Sequence, residues 1–145
     1  MRRKKLVSVC IPVLNEIENI RELIRELEKL AARNQKYNFE WVFSDNGSTD
    51  GTWELLKKLK VSHQKIRAIR FSENVGYQES IIRNYGFSRG DALINYDADM
   101  QDPIEMVEEF LIKWEKGYQL VYGVRIDRVE NRVNKFLRNV GYSLL

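Results

Sequence analysis

The sequence is short of everything that staples a small secreted scaffold or spans a bilayer. Its single thiol, Cys10, rules out an intramolecular disulfide, and a reducing compartment is the simple reading. No apolar run approaches the roughly 18 residues of a transmembrane helix, and the basic N-terminus is followed by no secretory hydrophobic region or cleavage site. The chain as given is therefore expected to be soluble or peripheral. Two prolines and eight glycines leave no linker, collagen-like repeat or low-complexity segment. The one histidine, His63, has no second histidine nearby and reads as loop surface.

What remains is ordinary globular composition: 145 residues, 43% apolar and 31% charged, enough chain to bury a core without a metal staple. The net charge of +3 is unevenly spread. Residues 2–5 are all basic, and residues 125–145 carry five Arg/Lys against two acids, so the middle is net acidic. Basic ends around an acidic centre argue against a nucleic-acid binder and fit an anionic surface or phosphate group beside a metal-binding centre.

Short β-branched runs alternate with helical periodicity, which predicts one α/β domain. Strands are expected at 6–11, 39–44, 66–71, 92–96 and 120–124. Ile17, Ile20, Leu23, Ile24, Leu27 and Leu30 predict a first helix, with Asn15 and Glu18 as a capping box. Trp53, Leu55, Leu56 and Leu59 mark a second, residues 77–87 a third, and Ile104 to Trp114 a fourth that opens at Pro103 and stops at Gly117. Crossover helices imply a parallel sheet covered on both faces, with ligands at the carboxyl ends of its strands. Cys10 reads as a small buried hydrophobe, and Trp41, Trp53 and Trp114 sit on core-like patterns.

Three polar clusters fall at those carboxyl ends. Asn15-Glu16 follows strand one, Asp45-Asn46-Gly47-Ser48 follows strand two, and Asp97-Ala98-Asp99 follows strand four. Two carboxylates at i and i+2 supply hard oxygen ligands of the kind Mg²⁺ or Mn²⁺ uses when a diphosphate completes the shell; two acids in a solvated turn are equally common. Asp102, Pro103 and Glu105 make an ordinary helix start, and a cap there can also line a site. Thr49 or Asp50 can cap the following helix, and the same loop offers carboxylate and amide groups able to read a nucleobase and ribose. A phosphatase built on Asp-x-Asp is a poor fit, because Pro12 stands where its nucleophilic aspartate would follow strand one.

Taken in order, Ile11-Pro12-Val13-Leu14-Asn15-Glu16, Asp45 to Thr52, Asn74-Val75-Gly76, Arg89-Gly90-Asp91 and Asp97-Ala98-Asp99-Met100-Gln101-Asp102-Pro103 cover nearly the whole chain. This set resembles family 2 glycosyltransferases with the Rossmann-like GT-A fold, a mostly parallel sheet with helices on both faces. Within the family it is most similar to the branch of dolichol-phosphate mannose synthase and bacterial polyprenyl-phosphate glycosyltransferases. The resemblance implies that Pro12, Asn15, Glu16, Asp45 and Asn46 line a nucleoside pocket, that Asp97 contacts ribose or metal, and that Asp99 binds a divalent cation, Mg²⁺ or Mn²⁺. It also implies that Gln101 and Asp102 face the sugar and diphosphate and are the catalytic candidates together with Arg125. The implied reaction inverts the anomeric carbon of a UDP-sugar or GDP-mannose. Its acceptor would be a polyprenyl phosphate at the cytoplasmic side of the cell membrane, or another glycan acceptor; a nucleotide-sugar-binding fragment without turnover is the third possibility. Two positions depart from the family pattern: Asn46 replaces the second acid of the usual Asp-Asp pair, and Tyr77 stands where lysine is often found.

Residues 1–124 are expected to form the nucleotide-sugar-binding core. Beyond them, Arg125 suits phosphate because a guanidinium pairs bidentately with its oxygens. Val129, Val133, Phe136, Leu137, Val140 and Leu144 share one helical face, with Arg128, Arg132, Lys135 and Arg138 mainly off it. Segment 125–145 thus reads as a basic amphipathic helix, either packed on its own domain or beginning an acceptor or membrane-proximal region. The last residues carry no helix stop signal, and family catalytic domains are usually longer, so the chain is expected to be truncated at its C-terminus.

Overall fold

The computed structural model describes residues 3–124. Its elements alternate: β1 (Leu6–Val13), α1 (Ile20–Arg33), β2 (Asn38–Asp45), α2 (Thr52–Ser62), β3 (Ile66–Arg70), α3 (Tyr77–Phe87), β4 (Ala92–Asn95) and α4 (Glu105–Glu115). The four strands form one sheet in the order β3-β2-β1-β4, and every pairing is parallel. β1 and β2 lie at the centre, and seven of the eight residues in each are buried, which is why their sequences read as nearly unbroken apolar runs.

The two faces of the sheet differ in chemistry. Val7, Val9, Ile11 and Val13 of β1 and Phe39, Trp41 and Phe43 of β2 join Ile20, Leu23, Leu27 and Leu30 of α1, Leu56 of α2, and Val107 and Leu111 of α4 in one apolar core. On the other face α3 buries only Ser80 and Asn84. Asn84 Nδ2 donates to the Val42 carbonyl (2.9 Å) and to Ser44 Oγ (2.8 Å), so polar bonds join this helix to the sheet. Cys10 is buried on the same side, and burial pushes its thiol up to about 11, against the pull of a contact to Ser88 Oγ. It is the inert core residue expected.

Arg89-Gly90-Asp91 serves this packing. The Arg89 and Gly90 amides donate to Glu40 Oε1 (2.7 Å) and Ser8 Oγ (2.8 Å), and Asp91 accepts from the Leu6 amide (2.7 Å). A Cβ on Gly90 would lie 2.6 Å from both the Ala92 carbonyl oxygen and Ser8 Oγ, so glycine is required by close approach of the chain.

Four expectations are corrected. Residues 120–124 form no strand: among the described residues β4 is the sheet edge, and Leu120, Tyr122 and Val124 are 80, 75 and 69% exposed. Their apolar alternation is real, but no strand among the described residues pairs with it. The capping box at Asn15 is absent, because α1 begins only at Ile20, and Asn15 bonds elsewhere. Likewise α4 does not open at Pro103: it starts at Glu105, with Ile104 at its cap position. Asp50 accepts from Thr52 N (2.9 Å) and Oγ1 (2.6 Å), but the cap position of α2 is Gly51, with no side-chain cap bond. Of the tryptophans, Trp41 is fully buried and Trp53 and Trp114 half-buried. Arg125 and the amphipathic segment 125–145 lie outside the described residues.

Candidate active site

Parallel strands bring the three polar clusters to one edge, and side chains then fasten their loops together. Asn15 takes φ +58°, the left-handed conformation that asparagine tolerates better than most residues. That turn aims Asn15 Oδ1 at the Thr49 amide (2.8 Å), while the Asn15 amide donates to Ser48 Oγ (2.9 Å). The Glu16 amide donates to Thr52 Oγ1 (2.9 Å), and the Ile17 amide to Asp50 Oδ2 (3.1 Å). The loops after β1 and β2 are thereby closed against each other.

Asp45 is fully buried beneath this pair of loops. Its Oδ1 accepts from the Ser48 amide (3.1 Å), its Oδ2 lies 3.1 Å from Arg70 Nε, and Arg70 Nη2 donates to the Ser48 carbonyl (2.9 Å). Among the described residues Oδ2 makes no hydrogen bond, so the ion pair to Arg70 is what offsets its burial, and the carboxylate holds the loop. Asn46 reaches the other way: Nδ2 donates to Asn74 Oδ1 (2.9 Å), and Oδ1 accepts from the Val75 amide (2.9 Å).

After β4 the chain reverses through Asp97-Ala98-Asp99, with Ala98 buried and Met100 at φ +53°. The Gln101 amide donates to Asp99 Oδ1 (3.1 Å), and Tyr96 Oη pins the turn by donating to the Asp102 carbonyl (2.6 Å). Burial, then the charges of Asp102 and Glu105, push the Tyr96 phenol up to about 12, so it remains a donor at neutral pH.

A cleft of about 310 Å³ lies among these turns, and its lining includes Pro12, Glu16, Asn46, Tyr77, Asp97 and Asp99. Five of the sequence-predicted site residues, Pro12, Glu16, Asn46, Asp97 and Asp99, thus share one cavity. Asn15 and Asp45 support its wall instead of lining it. Gln101 is exposed beside it, and Asp102 borders a larger cavity of about 720 Å³ between β4, α4 and residues 118–124. The smaller cleft concentrates the carboxylates. Sequence reasoning assigned no role to Asn74 and treated Tyr77 only as a departure. Tyr77 Oη donates to Asp97 Oδ1 at 2.5 Å. Desolvation in the cleft, then that bond, raises the phenol to about 12. The signal for it was the Asn74-Val75-Gly76 turn delivering residue 77 at a helix start opposite Asp-x-Asp.

Glu16, Asp97 and Asp99 make the cleft acidic, which disfavours an anionic ligand there unless a cation lies between. Their oxygen chemistry fits Mg²⁺ or Mn²⁺. Among the described residues no ready cluster of three or more His, Cys, Asp and Glu ligands exists. A two-carboxylate site would take its remaining ligands from water and phosphate.

The sequence pattern of Glycosyl transferase family 2 matches residues 8–143. The chain belongs to that family. It is 35% identical over 128 residues to "Uncharacterized glycosyltransferase YkcC" of Bacillus subtilis, covering 88% of this chain and 39% of that one. It is 34% identical over 125 residues to "Prophage bactoprenol glucosyl transferase homolog" of Escherichia coli, covering 84% and 40%. The family 2 chain therefore spans about two-fifths of the curated relatives it matches, and bactoprenol glucosyl transferases among them bear out the resemblance to the polyprenyl-phosphate branch. The GT-A fold is shared with a mannosyltransferase of Pyrobaculum calidifontis solved with GDP-Man and Mn²⁺, at TM-score 0.62, 22% identity and coverage of 78% of this chain and 32% of that one. Staphylococcus aureus TarS 1-349 with UDP gives 0.61, 19%, and 86% and 38%.

Proposed function

We propose that this chain is the donor-binding part of an inverting glycosyltransferase that moves a sugar from a UDP-sugar or GDP-mannose to a polyprenyl phosphate at the cytoplasmic face of a membrane. The observation that carries the reading is the acidic cleft itself. Residues separated by more than eighty positions, Pro12 and Glu16 and then Asp97 and Asp99, meet in it in a family 2 chain. The bactoprenol glucosyl transferase relatives support the choice of acceptor.

In this reading Pro12, Glu16 and Asn46 receive the nucleoside, with Asn15 and Asp45 holding their loops in place. Asp99 and Asp97 hold a divalent cation, which supplies charge neutralisation for the diphosphate leaving group. Asp97 also offers an oxygen to ribose. An acceptor phosphate oxygen attacks the anomeric carbon in line, the bond to the nucleoside diphosphate breaks, and the configuration inverts. A phosphate is already anionic near neutral pH, so rate comes from positioning and charge complementarity more than from a base. Gln101 and Asp102 orient the sugar and diphosphate, and Arg125 pairs with phosphate. Segment 125–145 would begin the acceptor and membrane-proximal region.

A sugar hydroxyl acceptor would change one requirement, since it must lose a proton and Asp102 would then act as the base. Transfer assays with polyprenyl phosphate and with a glycan acceptor separate the two. Product from the lipid phosphate that survives Asp102→Asn supports the proposal, whereas transfer only to the glycan, abolished by that change, supports the other acceptor. Binding of donor without transfer to either would indicate a binding fragment.

A further inference from the structure

The two departures from the family pattern lie at opposite ends of one hydrogen-bonded path. Asn46, at the end of β2, donates to Asn74 Oδ1 and accepts from the Val75 amide. Asn74 Oδ1 also accepts from the Gly76 amide at 2.9 Å. A carboxylate at position 46 has no proton for Asn74 Oδ1, so the Asn74 amide would have to turn over and give up Gly76. Gly76 takes φ +83°, where a side chain is strained, and opens α3 with Tyr77 as its first residue. Tyr77 Oη then meets Asp97 Oδ1 at 2.5 Å. The path joins the end of β2 to the turn after β4 along the lining of the cleft.

From this geometry we propose that Tyr77 is a positioning residue for the donor: its hydroxyl holds Asp97 by Oδ1, presenting Oδ2 to the ribose or cation, and the Asn46–Asn74 clamp sets where Tyr77 stands. The inference rests on the donor-site reading above. A fixed carboxylate loses less rotamer freedom on binding than a free one, so the bond raises affinity by preorganisation. The phenol is also neutral. It steadies Asp97 without cancelling the charge that a cation needs, unlike a lysine at the same place.

Calorimetry with Mn²⁺ plus UDP or GDP, on the wild type, Tyr77→Phe, Tyr77→Lys and Asn46→Asp, tests this, with melting temperatures as the check on folding. The expected result for Tyr77→Phe is affinity about tenfold weaker in a variant that still unfolds cooperatively, with a melting temperature only slightly lowered by the lost hydrogen bond. Asn46→Asp should move affinity the same way. Tyr77→Lys restores a donor but sets a positive charge against Asp97, so its nucleotide affinity should depend less on metal than the wild type's. Wild-type affinity in Tyr77→Phe overturns the inference, and so does a lysine variant with the wild type's metal dependence. Failure of the wild type to bind either nucleotide would instead overturn the donor-site reading, and this inference with it.

Discussion

Asp99 is exposed at the lip of the cleft and among the described residues bonds to the neighbouring Gln101 amide, so its removal should change chemistry without changing the fold. Asp99→Ala is expected to abolish metal-dependent nucleotide binding while keeping the melting temperature; a folded variant with unchanged metal-dependent affinity would refute its role as ligand. Gly90 is the opposite case. A methyl group there meets backbone and Ser8 at 2.6 to 2.7 Å, atoms held by strand pairing, so Gly90→Ala should cost about 1–3 kcal/mol in denaturant unfolding. Residue types were well legible in the sequence, and their division of labour less so. Asp45 and Asn46 both looked like pocket residues, yet Asp45 is buried against Arg70 and Asn46 is bonded to the 74–75 turn. Nothing local in the sequence distinguishes a carboxylate facing a ligand from one facing an arginine twenty-five residues on.

At the scale of elements, α1 and α4 pack into the same core and are tied at their ends through Glu108, whose Oε1 accepts from Arg33 Nε (3.0 Å) and Asn34 Nδ2 (2.7 Å). The bond to Arg33, then that to Asn34, holds the Glu108 carboxyl below its usual 4.5. A carboxylate with a depressed folded pKa stabilises above its unfolded value and loses that contribution as pH falls through the folded one. Glu108→Gln should therefore unfold with less pH dependence below about pH 4.5 than the wild type, and match its pH profile near neutrality; identical acid unfolding of the two would contradict the link. Both side chains are partly exposed, so salt should shrink the difference. Helical periodicity gave α1 away because Ile20, Leu23, Ile24, Leu27 and Leu30 all reach the core. α3 was legible by length and capping turn only, since it buries Ser80 and Asn84 and leaves Ile82 exposed. The alternation at 120–124 predicted a strand correctly in pattern and wrongly in structure, because pattern reports which residues suit a sheet and pairing requires a neighbour.

Over the whole molecule, parallel pairing is what turns a scattered sequence into a site. The register that sets Val13 beside Asp45, and Cys10 beside Asn95, puts all three polar turns at one edge. That convergence could be read from strand order alone, and it is why the position of the cleft was foreseeable while the bond from Tyr77 to Asp97 was not. A bond between a helix start and a turn twenty residues later depends on how α3 lies across the sheet, which no periodicity encodes. The acidity of the cleft leads to the central claim, that an anionic nucleotide binds here only with a divalent cation. The most direct test is calorimetric titration of UDP and GDP into this chain with Mn²⁺, with Mg²⁺ and with excess chelator. Binding of one nucleotide in the presence of metal, lost in chelator, is the predicted result. Equal affinity with and without metal, or no affinity in a folded sample, would contradict it.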